Sequence, residues 1–211
     1  VVYPMARALP VLMLAVITPL LGMGHIPGWQ GMIGLITVSI GCFFIPLARF
    51  ADFNWRNFTN PAMRFIFQAA AGTAGYTIVD KLAMQTIQEG CPDYPWLKVS
   101  LFYIGFVETG LALSLAITVF TQKKEIAALK QLIAQRSFFP VLAGLCSSTA
   151  YLLILIAMNY FTQLGFLQAF RQLSLPLGVL AGIIYLKERC SAPQWLGVTA
   201  IVTGLVLIAF V

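Results

Sequence analysis

The sequence predicts an all-α integral membrane protein with seven visible transmembrane helices. Three observations carry that expectation. Hydrophobic residues make up 60% of the chain and charged residues only 9%, against about 25% charged in a soluble domain, so too few charges are present to build a water-facing surface. Apolar runs near the roughly 20 residues a spanning helix needs recur along the whole chain. The charges gather in a few connectors between those runs.

The apolar segments are residues 5–22, 29–47, 64–84, 97–120, 138–159, 163–186 and 194–211, each closed by Gly, Pro or charge. Residues 23–28 and 160–162 are almost uncharged connectors, whereas 48–63 and 121–137 hold most of the basic residues. Sorted by side, Arg49, Arg56, Arg64, Lys123, Lys124, Lys130, Arg136, Lys187 and Arg189 oppose Lys81 and Lys98. By the positive-inside rule the first group is cytoplasmic, which puts the C-terminus on the outer face. The formal net charge of +6 is therefore a topology signal, and because it forms no continuous basic face, nucleic acid is not an expected partner. Within 121–137, Ile126, Leu129, Leu132 and Ile133 recur at helical spacing beside Lys123, Lys124 and Lys130. Two readings fit that pattern: an amphipathic helix on the membrane surface, or a solvated linker helix.

The two ends of the chain repeat each other. Arg7 and Leu9 correspond to Arg171 and Leu173, and Gly34 and Gly41 to Gly197 and Gly204, with turns at Pro27 and Pro193 between. Counting spans makes the copies enter the membrane from opposite sides, a pattern common in secondary transporters.

Specific runs carry a family resemblance. Tyr3-Pro4-Met5-Ala6-Arg7, Gly72-Thr73-Ala74-Gly75-Tyr76-Thr77-Ile78-Val79-Asp80, and above all Tyr185-Leu186-Lys187-Glu188-Arg189 followed by Gln194-Trp195-Leu196-Gly197 and Gly204 resemble the EamA-like family of the drug/metabolite transporter superfamily. The resemblance implies a ten-helix fold of two inverted five-helix repeats. On that pattern residues 1–47 are the last two helices of the first repeat, 48–63 is a connector, 64–211 is the second repeat, and three helices precede Val1. It further implies a bacterial inner-membrane secondary transporter or exporter of small metabolites working by alternating access. The sequence departs from the family at Gly22-Met23-Gly24-His25, where a Gly-Glu-Arg-like run is usual, and in its charge bias, which opposes the usual cytoplasmic C-terminus. A non-transporting scaffold subunit that retains the fold is the rival expectation. The expected partners are the bilayer, a small-molecule substrate, and a second copy of the chain or a larger membrane complex.

Ionisable groups inside a bilayer cost roughly 2.5–3.5 kcal/mol each on insertion scales, so they are kept where they pair or line a wet path. Glu108 falls near mid-span, Asp80 and Arg171 fall at similar depths, and Arg7 occupies the position of Arg171 in the other repeat. Glu108, Arg171, Asp80 and Arg7 are therefore pathway candidates, with Arg171 expected to pair with Asp80 or Glu108. The neutral polar candidates are Gln168, Gln172, Tyr76 and Asn159, accompanied by Gln68, Tyr151 and Ser174. Gln168, Arg171 and Gln172 share one helical face. Gly178-x-x-x-Gly182 is a small-residue pattern that lets helices approach closely. Cys42, Cys91, Cys146 and Cys190 are dispersed and read as small apolar residues. No nucleophile elbow, metalloprotease signature, phosphate loop or paired metal-ligand motif appears, so no enzyme, metal or cofactor is expected.

The charge count makes a prediction about sidedness. A cysteine introduced at position 130 should resist an impermeant maleimide in intact cells and react after permeabilisation. Ready labelling in intact cells would reverse the orientation.

Overall fold

The computed structural model describes residues 2–47, 49–50, 62–135 and 137–211. Most of the 48–63 connector, with Arg56, and also Arg136 lie outside the described residues. The described secondary structure is helical: α1 (Val2–Leu20), α2 (Trp29–Phe44), α3 (Ala62–Gly90), α4 (Trp96–Thr121), α5 (Lys123–Ala134), α6 (Phe139–Ala157), α7 (Leu164–Phe170), a 3₁₀ turn (Arg171–Leu173), α8 (Ser174–Tyr185) and α9 (Ala192–Ala209).

Every expected apolar segment is helical. Among the described residues four helices are long and apolar enough to cross a membrane: Trp96–Thr121, Phe139–Ala157, Leu164–Tyr185 and Ala192–Ala209. Ala6–Leu20 and Trp29–Phe44 are apolar but shorter. α3 is 29 residues long yet is not among the four, because Arg64, Asp80, Lys81 and several amides dilute its apolar stretch.

The chain forms two compact units, Val1–Val79 with Phe161–Val211, and Asp80–Tyr160, so α3 runs from one into the other. These are divisions of packing, and the repeat boundaries at 47, 63 and 64 stay expectations.

In the first unit α2 and α9 run antiparallel in backbone contact. A Cβ on Gly34 would stand 2.9 Å from the Gly204 carbonyl oxygen, and one on Gly41 would stand 2.8 Å from that of Gly197. Reciprocally, a Cβ on Gly197 would lie 2.9 Å from the Gly41 oxygen and one on Gly204 would lie 2.7 Å from the Gly34 oxygen. No side chain fits at those distances. Val38, Cys42, Ile201, Leu205 and Ile208 fill the seam on either side of the glycines. α1 packs against α7 by the same means: a Cβ on Gly165 would be 3.1 Å from the Ala15 backbone, and Ala8, Val11 and Ala169 are buried there.

Helix ends follow local chemistry. α9 begins after Ser191, whose backbone N–H donates to Gln194 Oε1 at 2.8 Å, with Pro193 in the first turn where its missing N–H costs nothing. The Ser191 hydroxyl donates to the Leu47 carbonyl at 3.0 Å, tying the start of α9 to the end of the α2 segment. The break between α7 and α8 has a cause in Pro176, which has no N–H for the Gln172 carbonyl and whose ring crowds it. The chain answers with a tighter turn at Arg171–Leu173.

One small-residue pattern meets no second helix among the described residues. Among the described residues Gly178 meets open space, and the nearest atom to a Cβ on Gly182 would be the Glu188 carboxylate at 3.0 Å, folded back from beyond the end of its own helix.

The glycine seam gives a test with an internal control. Gly41→Ala should destabilise the folded protein by about 1–3 kcal/mol, the range for overpacking a filled site. Gly72→Ala, with nothing within 4 Å, should be neutral or stabilising by up to about 1 kcal/mol through helix propensity. Thermal unfolding in detergent measures both, and equal behaviour of the two variants would contradict the seam.

Candidate functional site

Polar candidates of the first unit gather at the break in the Leu164–Tyr185 helix. Arg171 Nη1 donates to Gln168 Oε1 at 3.0 Å and to the Tyr76 hydroxyl at 3.1 Å, with its guanidinium carbon 6.0 Å from the Tyr76 ring centre. These partners are neutral. They fix the direction of the guanidinium and leave its charge in place. Gln168 and Gln172 are buried, Arg171 is half-buried and Tyr76 is exposed.

Gln172 Nε2 donates to the Arg7 and Gln168 carbonyls, both at 3.3 Å. Its buried Oε1 has no hydrogen-bond partner. Arg7 Nη1 donates to the Ser174 hydroxyl at 2.9 Å, which in turn donates to the Arg171 carbonyl at 3.0 Å. The bond to the Arg171 carbonyl is the side-chain-to-backbone bond, three residues back, that a helical serine can make. Thus one proline four residues past Gln172 brings Arg7, Gln168, Arg171, Gln172, Ser174 and Tyr76 into a single network.

The second unit has its own polar cluster. Asp80 is buried, and its two carboxylate oxygens accept from the hydroxyls of Tyr103 at 2.8 Å and Tyr151 at 2.7 Å. One turn position further, Lys81 Nζ donates to the Met158 carbonyl at 2.6 Å and lies 5.9 Å from the Trp96 ring centre. Trp96 Nε1 donates to the Leu155 carbonyl at 3.2 Å. Both carbonyls belong to the end of α6, where acceptors lack intrahelical donors, and a cation there also meets the negative end of the helix dipole. Glu108, half-buried, accepts from the Ser148 hydroxyl at 2.8 Å.

Asp80 and Glu108, the acids expected to pair with Arg171, thus belong to the second unit, where hydroxyls bond them. Two placements differ from the sequence expectation. Lys81, counted there on the outer side of the charge balance, is buried at 8% exposure, with α3 continuing to Gly90 instead of ending near residue 84. Asn159 lies exposed in the turn after α6 and not on a buried helix face. Gln68 is also exposed. Tyr103, Ser148 and Trp96 were missed, since their partners sit on other helices and no spacing along one helix reveals them. All four cysteines are free thiols, and His25 is exposed in its turn.

A groove of about 670 Å³ is lined by Ala15, Val16, Pro19, Leu20, Gly24, His25, Ile26 and Met32. One of about 340 Å³ is lined by Ile87, Cys91, Tyr94, Lys98, Val99 and Phe102. Neither contains a candidate residue. Comparison with protein-family models, curated proteins and solved structures finds no match.

The Asp80 cluster predicts coupled losses. Tyr103→Phe and Tyr151→Phe should each lower stability by about 1.5–3 kcal/mol, the worth of a hydrogen bond to a charged group. The double variant should depart from the sum, because both hydroxyls serve one carboxylate. Unfolding in detergent reads this, and two neutral single variants would remove Asp80 as the organising charge.

Proposed function

We propose that the chain is a secondary transporter of small metabolites, working by alternating access, with its seven apolar helices spanning the membrane as part of a ten-helix inverted repeat of the EamA-like kind. The single observation that carries this reading is the broken helix at Arg171–Leu173. A long apolar helix gives up its regular bonding there and holds a guanidinium on neutral oxygens, in a network that includes a second arginine. Broken helices with polar groups at membrane depth are what transporters use to bind solutes, since irregular backbone is tolerated where it lines a cavity.

The inverted repeat draws support from the glycine seam. Exchanging Gly34 with Gly197, Val38 with Ile201, Gly41 with Gly204 and Ile45 with Ile208 turns the set of close approaches between α2 and α9 into itself. Two copies related by a two-fold axis in the membrane plane would produce that pattern. In this reading Arg171, Gln168, Gln172, Tyr76 and Arg7 face the solute, and Glu108 and Asp80 belong to an ion pathway. In this reading a gradient, exchange or simple facilitated flux carries the solute.

Counterflow in proteoliposomes tests the proposal. Vesicles preloaded with mixed carboxylates, phosphates, amino acids and amines should accumulate at least one labelled class. Arg171→Gln should cut that flux by roughly ten- to a hundred-fold, the loss expected from one charged hydrogen-bonding group. Glu108→Gln, which keeps the shape and removes the charge, should insert normally but lower the flux. Absence of counterflow for every class by correctly inserted protein would contradict the proposal and favour a scaffold subunit.

A further inference from the structure

Between α4 and α6 lies a helix that neither the fold nor the transport reading uses. α5 (Lys123–Ala134) has no buried residue. Leu129, Leu132 and Ile133 are 37%, 42% and 66% exposed and Ile126 is half-buried, so the described residues leave most of its apolar stripe uncovered. In water that stripe would be a defect.

Position decides what covers it. Only Gln122 separates α5 from α4, and it leaves the helical region at φ −113° and ψ 114°, turning the chain away from the α4 axis. Residues 135–138 join it to α6. Both neighbours are long and apolar enough to cross a membrane, so α5 is held at the level where they leave it. Phe120, Phe138 and Phe139, at 70%, 68% and 80% exposure, stand at those exits as uncovered apolar rings that gain by leaving water.

Helical geometry sorts the faces. Ile126, Leu129 and Ile133 form one stripe. Lys123 and Lys130 share a flank of it, and Lys124 and Gln131 lie opposite. Three lysines stand against one acid, Glu125. Lysines flanking an apolar stripe can bury their stems and reach headgroup phosphates.

We propose that α5 docks on the surface of an anionic leaflet, its Ile126–Leu129–Ile133 stripe among the acyl chains and Lys123 and Lys130 on lipid phosphates. An acidic protein partner would need to reach a helix about 18 Å long that is tethered within a residue of the bilayer. Lipid is already there.

The test uses the full chain, with its four cysteines replaced and a fluorophore on Ile133→Cys or Lys124→Cys. The chain is reconstituted in phosphatidylcholine alone or mixed with phosphatidylglycerol. In anionic vesicles, lipid-borne quencher should act several-fold more on position 133 than on 124, and aqueous iodide should show the reverse. Lys123→Gln and Lys130→Gln should each lower the docked-to-undocked ratio by about five-fold, the effect of one basic residue near an anionic surface. Iodide access to position 133 in anionic vesicles would overturn the proposal. Shielding from both quenchers would overturn it in favour of a protein partner. Equal docking on phosphatidylcholine would overturn its electrostatic half. If the cysteine-free chain fails to insert, hydrogen exchange of the α5 amides in the wild-type chain should slow on anionic vesicles, and unchanged exchange would refute docking.

Discussion

The backbone contact between α2 and α9 is the constraint on which the rest of the first unit depends. Lipid chains are as apolar as leucine, so helices in a bilayer gain little from apolar burial alone and associate through close packing and polar bonds. Four glycines let the carbonyl of each helix come within about 3 Å of where a Cβ on the other would stand. The seam brings many weak dispersion contacts into range at once. It also fixes the pair antiparallel, because Gly34 faces Gly204 while Gly41 faces Gly197. α1 and α7 then pack beside this pair through Ala8, Ala15, Gly165 and Ala169, again with small residues.

On that rigid pair the sequence places an irregularity. Pro176 cannot serve the Gln172 carbonyl, the helix tightens at Arg171–Leu173, and side chains supply bonds around the break. Arg171 is thereby aimed by Gln168 and Tyr76 without being neutralised by them. The second unit treats its charges differently: Asp80 is wrapped by two tyrosines and Lys81 serves a helix end. That contrast separates a charge held available, at Arg171, from charges used to join α3, α4 and α6.

Much of the fold was legible because periodicity and length are local properties. Each apolar run became a helix, and Gly34, Gly41, Gly197 and Gly204, which the sequence marks only as repeat counterparts, line one seam in crossed pairs, Gly34 against Gly204 and Gly41 against Gly197. The Gln168–Arg171 bond was likewise readable from positions three apart on one helix. Partners on different helices were not. Nothing near Asp80 in sequence points to Tyr103 or Tyr151, and Lys81 looked like an outer-side charge because the end of α3 is polar without being irregular. The glycines of α8 show the converse limit, since spacing on one helix does not name the surface opposite it, and among the described residues no second helix stands there.

The most direct test of the account is sidedness across the α2–α9 pair. In the proposed arrangement both helices cross the membrane, and because they run antiparallel the residues just before them then lie on opposite faces. Gly28→Cys precedes α2, and the native Cys190 lies just before α9. In sealed vesicles of one orientation, with the other cysteines replaced, an impermeant maleimide should label one of these positions from outside. The other should react only after permeabilisation. Labelling of both from the same side would break the antiparallel pair across the bilayer, and with it the inverted repeat built on that seam.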